Sequence, residues 1–208
     1  MSTNSRLGTL MESPPPKIKM TYAAFLEWHP ESEAAEWVDG EAFIMAPPST
    51  GHQDLTLFLG SVLRFYVESK GLGRVFIAPV QMKLGRSGRE PDVLFISNEN
   101  KARVEGLYLN GPADLAVEVV SPESRGRDRK EKFREYEQAG VREYWILDAI
   151  NRQAEFYGLD AARIYQPLPV AQGVFRSQVI QGLWIDVKWL WQDPLPALMV
   201  VLKAWSLV

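Results

Sequence analysis

Glu118 lies in the middle of Asp114-Leu115-Ala116-Val117-Glu118-Val119-Val120-Ser121-Pro122, where branched and apolar residues and a closing proline predict a short β-strand. Alternation puts Leu115, Val117 and Val119 on one face and Asp114, Ala116, Glu118 and Val120 on the other. A carboxylate in such a strand needs a cation, a hydrogen-bond donor or a proton, because burying it alone is costly. Asp92 opens a second strand, Pro91-Asp92-Val93-Leu94-Phe95-Ile96. If the two strands pair, both carboxylates converge on one cation. Two carboxylates and a backbone carbonyl suit magnesium or manganese, hard ions that keep several waters. Such an ion polarises a phosphoryl oxygen and supplies hydroxide near neutral pH. A lysine beside it would orient water and offset the charge that builds in the transition state.

The totals narrow this chemistry. With no cysteine among 208 residues, disulfides, thiolate nucleophiles and thiolate zinc sites are excluded. Only two histidines, His29 and His52, are present, so a metal site is expected to use oxygen ligands. A net charge of −3 excludes a molecule that is basic overall. Local basic patches remain: Arg125, Arg127, Arg129, Lys130, Lys132 and Arg134, interrupted by Asp128 and Glu131, could contact phosphate or form a solvated helix face. The start of the chain lacks the apolar core of a signal peptide, and the apolar run Pro194 to Leu202 is too short to span a bilayer. A cytoplasmic protein with no membrane association is expected.

The elements that must position these residues read as follows. Residues 1–16, with Pro14-Pro15-Pro16, form a mobile tail, and 17–208 a single domain with a core over about 52–150 and a C-terminal extension over about 151–208. Thr21 to Trp28 is a short capped helix, and Asp39-Gly40 is the turn of a hairpin. Leu55, Phe58, Leu59, Val62, Leu63 and Tyr66 recur at helical spacing between His52 and Lys70. Val75 to Lys83 reads as one strand, Gly85 to Arg89 as a turn, Arg127 to Ala139 as a charged helix, and Glu143 to Asp148 as a strand. The core order is helix, three strands, helix, strand, with N-terminal helix and hairpin and C-terminal strand additions: an α/β fold on a mixed central sheet. Trp184, Trp189 and Trp191 are expected to pack on the core, with a dimer contact as the alternative.

Pro91-Asp92 followed by Glu118-Val119-Val120 resembles the PD-(D/E)XK nuclease superfamily, as does the core order, which makes the fold restriction-endonuclease-like. The fuller pattern resembles the Uma-two family of restriction endonucleases over about residues 20 to 185. It comprises Glu36-Trp37-Val38-Asp39-Gly40-Glu41, His52, Pro91-Asp92, and Asp114 to Ser124. It continues through Asp128, Lys132 and Tyr136 to Ala139-Gly140-Val141-Arg142-Glu143-Tyr144-Trp145-Ile146-Leu147-Asp148. The resemblance implies metal-dependent endonucleolytic cleavage of DNA, with Asp92, Glu118 and the Val119 carbonyl holding magnesium or manganese. The superfamily's lysine normally stands two residues after the acidic one, where this chain has Val120. The resemblance points instead to Lys132 on the following helix, with Lys130 as the fallback.

His52, Arg129, Lys130 and Tyr136 are candidate substrate contacts. Glu36 and Glu41 are candidate additional carboxylates, or simply flank the Asp-Gly turn. A homodimer would suit duplex cleavage, since one site cuts one strand. The alternatives are a catalytically inactive module that kept the fold to bind nucleic acid or a protein, and a hydrolase of small phosphoesters.

Overall fold

Alternation and helical periodicity resolve into three sheets in a computed structural model, which describes residues 17–28, 34–122 and 124–208. The tail read over residues 1–16 lies outside them. In chain order the first elements are β1 (Lys17–Lys19), α1 (Tyr22–Trp28), β2 (Ala35–Val38), β3 (Glu41–Ile44) and α2 (Thr50–Ser69). The Thr21 hydroxyl accepts the Ala24 amide at the start of α1, and the Ser49 hydroxyl accepts the His52 amide at the start of α2. Asp39 and Gly40 both take positive φ (50° and 85°), the backbone that a two-residue hairpin turn demands between β2 and β3.

Next come β4 (Gly73–Ile77), β5 (Gln81–Leu84), β6 (Ser87–Arg89) and β7 (Val93–Ser97). Two expectations are corrected here. Val75 to Lys83 is not one strand: it breaks around Pro79, which has no amide to donate to a ladder, and its halves β4 and β5 join different sheets. The segment ending at Arg89 is not all turn, because Ser87–Arg89 pairs with both β2 and β5 and buries Arg89. Short strands β8 (Val104–Glu105) and β9 (Tyr108–Asn110) precede β10 (Leu115–Val119).

A helical stretch then begins as α3 (Arg125–Arg127), widens into a π-helical turn over Asp128–Lys132 and continues as α4 (Phe133–Ala139). Gly140, at φ 91°, supplies the left-handed residue that ends it. The remainder is β11 (Glu143–Asp148), β12 (Gln153–Leu159), β13 (Tyr165–Pro167), β14 (Val170–Ala171), β15 (Val174–Arg176), β16 (Trp184–Asp186) and α5 (Leu198–Ala204).

The central sheet runs β13-β12-β11-β10-β7-β4, with β10 and β11 parallel and the other pairs antiparallel. The core order of helix (α2), three strands (β4, β7, β10), helix and strand (β11) therefore holds on a mixed sheet. Alternation along β10 sorts its side chains between two cores. Leu115, Val117 and Val119 pack with α2 residues Leu55, Leu59 and Leu63 and with Phe175, Ile185, Val201 and Leu202 of the C-terminal region. Ala116 and Val120 pack on the other side with Tyr136, Tyr144 and Met82, which brings in the second sheet, β1-β3-β2-β6-β5-β9-β8. Trp189 and Trp205 are buried in the first core, so tryptophans of the C-terminal extension do pack inward. Glu118 projects from β10 toward the seam between the second sheet and the Arg125–Ala139 helix. Among the described residues no helix is long and apolar enough to cross a membrane.

Candidate active site

Sheet register sets the centre. Val93 on β7 pairs with Val117 on β10, so the next position along each brings Asp92 opposite Glu118. Asp92 extends that ladder with its side chain: Oδ2 accepts the Val119 amide at 2.7 Å. Its Oδ1 faces His52 Nε2 at 3.3 Å, and the imidazole also meets the Val119 carbonyl. Burial works against a charge on His52, but the hydrogen bond and charge of Asp92 outweigh it and raise its pKa. His52, a candidate substrate contact, therefore lies against two of the candidate metal ligands.

Glu118 is 4% exposed. Its Oε1 accepts from Lys132 Nζ at 2.9 Å and from the Tyr136 hydroxyl at 2.7 Å. Lys132 reaches it from the π-helical turn, where Asp128 and Lys132 are both buried. The Tyr144 hydroxyl donates to the Asp128 carbonyl at 3.1 Å and ties that turn to β11. Irregular helical turns of this kind often serve a site.

The same ammonium lies 2.8 Å from Glu36 Oε1 and 3.8 Å from Asp128 Oδ1. Glu36 arrives on β2 from the second sheet. Its Oε2 accepts from Arg89 Nη1 at 2.9 Å and its Oε1 from the Glu90 amide at 3.3 Å. Arg89 also donates through Nε to Glu135 at 2.8 Å, and the Ser87 hydroxyl closes on the same carboxylate. One arginine therefore pins the lysine helix to the second sheet.

Charge in this seam is unevenly matched. Glu36, Glu118 and Asp128 share one lysine, and Arg89 divides itself between Glu36 and Glu135. Burial would raise the Glu36 pKa, but Lys132, Arg89 and Arg127 pull it down to about 2. Glu118 goes the other way. Burial and the charges of Asp128, Asp92 and Glu36 outweigh Lys132 and push it up to about 8. Lys132 is held charged: burial opposes the ammonium, but Glu118, Glu36 and Asp128 together raise its pKa. Burial, helped by Glu118, keeps the Tyr136 phenol protonated and a donor. Both oxygens of Asp128 are buried without a well-formed hydrogen bond.

These features fit a divalent cation. The donors at the seam are hard oxygens, carboxylates outnumber cations, and Asp128 is under-satisfied. Asp92, Glu118 and the Val119 carbonyl are the groups that would hold it. Among the described residues no ready-made cluster of three or more His, Asp or Glu ligands exists, so a backbone carbonyl and waters would have to complete the set.

Other candidates fall elsewhere. Tyr136, read as a candidate substrate contact, is fully buried and donates to Glu118. Glu41 pairs with Lys17 at 3.2 Å on the hairpin and stays out of the cluster. Arg129 is engaged by Glu155 at 2.7 Å and Asp148 at 3.5 Å. Lys130 faces solvent. Arg89 joins the cluster, although its Gly-Arg-Ser-Gly-Arg segment reads as a turn whose cations, with Lys83, could extend a phosphate-contacting surface. The signal that could have found it is Glu36 itself, a carboxylate between Ala35 and Trp37 that needs a buried cation just as Glu118 does.

Comparison with known proteins bears on the family and the fold. The model of the Uma2 family, described as "Putative restriction endonuclease", matches residues 22–188. An uncharacterized protein of Synechocystis sp., sll1609, is 25% identical over 142 residues, covering 66% of this chain and 80% of that protein. The crystal structure of a "putative nuclease belonging to DUF820" from Anabaena variabilis superposes with a TM-score of 0.70 at 16% identity. It covers 82% of this chain and 97% of its own, a likeness of fold. With more than half of its length matched, the chain belongs to the Uma2 family.

Proposed function

We propose that this protein is a metal-dependent endonuclease that hydrolyses phosphodiester bonds in DNA, with magnesium or manganese held by Asp92, Glu118 and the Val119 carbonyl. The observation that carries this reading is the convergence of Glu118, opposite Asp92 across two paired strands, with a buried lysine 2.9 Å away from another element. Membership of a family described as restriction endonucleases and a nuclease-like neighbour support it. When bound, the ion supplies Lewis acidity toward a phosphoryl oxygen and makes hydroxide available near neutrality.

The protein's residues do the rest. Asp92 keeps one oxygen on the Val119 amide, which fixes the direction of the other and of the Val119 carbonyl. Lys132, charged at neutral pH, faces the charge that develops on the phosphate in a water-poor seam, where such stabilisation is strongest. Tyr136 holds Glu118 from the inner side. A homodimer would place two such sites on opposite strands of a duplex.

Purified protein offered supercoiled plasmid, single-stranded DNA, RNA and a small phosphodiester tests this, each with magnesium, manganese or chelator. Metal-dependent nicking of DNA is expected. Turnover of the small ester alone would favour a phosphoesterase. Metal-independent binding without cleavage would favour a module that kept only the fold.

A further inference from the structure

Lys132 has two seats. Its ammonium is 2.8 Å from Glu36 and 2.9 Å from Glu118, and these carboxylates belong to different sheets. The Glu118 seat is the one a metal ion would claim. A bound cation repels an ammonium and draws on the same carboxylate charge. The Glu36 seat is independent of that event. Arg89, itself anchored by Glu135, and the Glu90 amide hold Glu36 in place whether or not Lys132 is there. Both distances are already at hydrogen-bond length, so a shift of the ammonium from one seat to the other needs no backbone motion.

We infer that Glu36, held by Arg89, is a positioning residue that retains Lys132 when metal takes Glu118. It thereby keeps the ammonium in the seam and lowers its competition for the metal ligand. This rests on the reading of Asp92 and Glu118 as metal ligands. Glu36 touches neither substrate nor metal in this scheme and acts only through the lysine.

Calorimetric titration of manganese into chelator-stripped protein, without DNA, tests it. Wild type, Glu36→Gln, Lys132→Met and the double variant are compared, with a melting curve for each. Glu36→Gln is expected to weaken manganese binding about tenfold, because Lys132 then leans on Glu118 alone. Lys132→Met in that background is expected to restore the affinity, while in wild type it changes the affinity by less than about threefold. A merely structural Glu36 would give additive effects. Additivity, or wild-type affinity in Glu36→Gln, overturns the inference while leaving the metal reading standing. Wild type that binds no manganese overturns the metal reading and the second seat with it. If Glu36→Gln does not fold, Glu36→Asp takes its place, since it keeps a partner for Arg89 but shortens the reach to Lys132. A loss of about threefold is then expected, and unchanged affinity overturns the inference.

Discussion

One ammonium serves three buried carboxylates, and the carboxylate left worst off is Glu118. Its folded pKa of about 8 lies above the ordinary 4.5, so the unfolded chain gives up that proton first. The sign follows: stability falls as pH rises from about 4.5 through 8, and the metal-free protein carries this cost at neutral pH. Glu118→Gln keeps an acceptor for Lys132 and Tyr136 but removes the charge. It is expected to melt above wild type by about 5 °C at pH 8 in chelator, in a thermal denaturation series from pH 5 to 8. A variant that melts lower at every pH would contradict this account of the buried charge. Glu36 has the opposite sign. Its folded pKa of about 2 means its contribution is present above pH 4.5 and is lost as pH falls toward 2. Glu36→Gln should remove about 3 kcal/mol at pH 7 and flatten the acid limb of a urea-unfolding series.

Among the elements, the C-terminal additions are tied to the central sheet by one buried carboxylate. Glu143 on β11 accepts from Trp145 Nε1 at 2.7 Å and from the amides of Gln178 and Val179 at 2.7 and 3.2 Å. Glu143→Ala removes the acceptor of the buried Trp145 indole and of the Gln178 amide, while the Val179 amide keeps the Ser177 hydroxyl, and about 1–2 kcal/mol of stability should go, read as a lowered urea midpoint with metal affinity preserved. Element existence was largely legible. The α2 stripe, the Asp39-Gly40 turn and the alternation of β10 each leave a local signature. Beyond that hairpin the second sheet did not. Its strands β5 and β6 are short, and their polar residues Gln81, Ser87 and Arg89 are buried by tertiary pairing. For the same reason Asp92, Glu118 and Lys132 could be assigned to a site, while Arg89 reads only as a cation on a turn. Glu118 interrupts an apolar strand and Asp92 opens one, whereas a charged residue in a glycine-rich segment looks solvated until its partner Glu36 is placed. The π-helical turn under Lys132 left no recognisable pattern either.

At the scale of the molecule, a net charge of −3 leaves DNA contact to local cations, several of which already have partners: Arg125 and Arg129 face Asp148, and Arg89 is buried. With these cations already engaged, few counterions are released at the seam. DNA affinity measured by anisotropy should fall by less than about 10³-fold between 50 and 200 mM salt. A steeper slope would mean a larger phosphate footprint than this surface offers. The molecule as a whole brings carboxylates from two sheets and a lysine from the helix between them to one seam, and the claim that this seam cuts DNA rests on Glu118. The direct test is the initial rate of supercoiled-plasmid nicking in manganese by wild type, Asp92→Ala and Glu118→Ala, after melting curves establish that all three fold. Both variants are predicted to lose activity at least about 100-fold, with chelator silencing wild type. Undiminished nicking by folded Glu118→Ala would contradict the account.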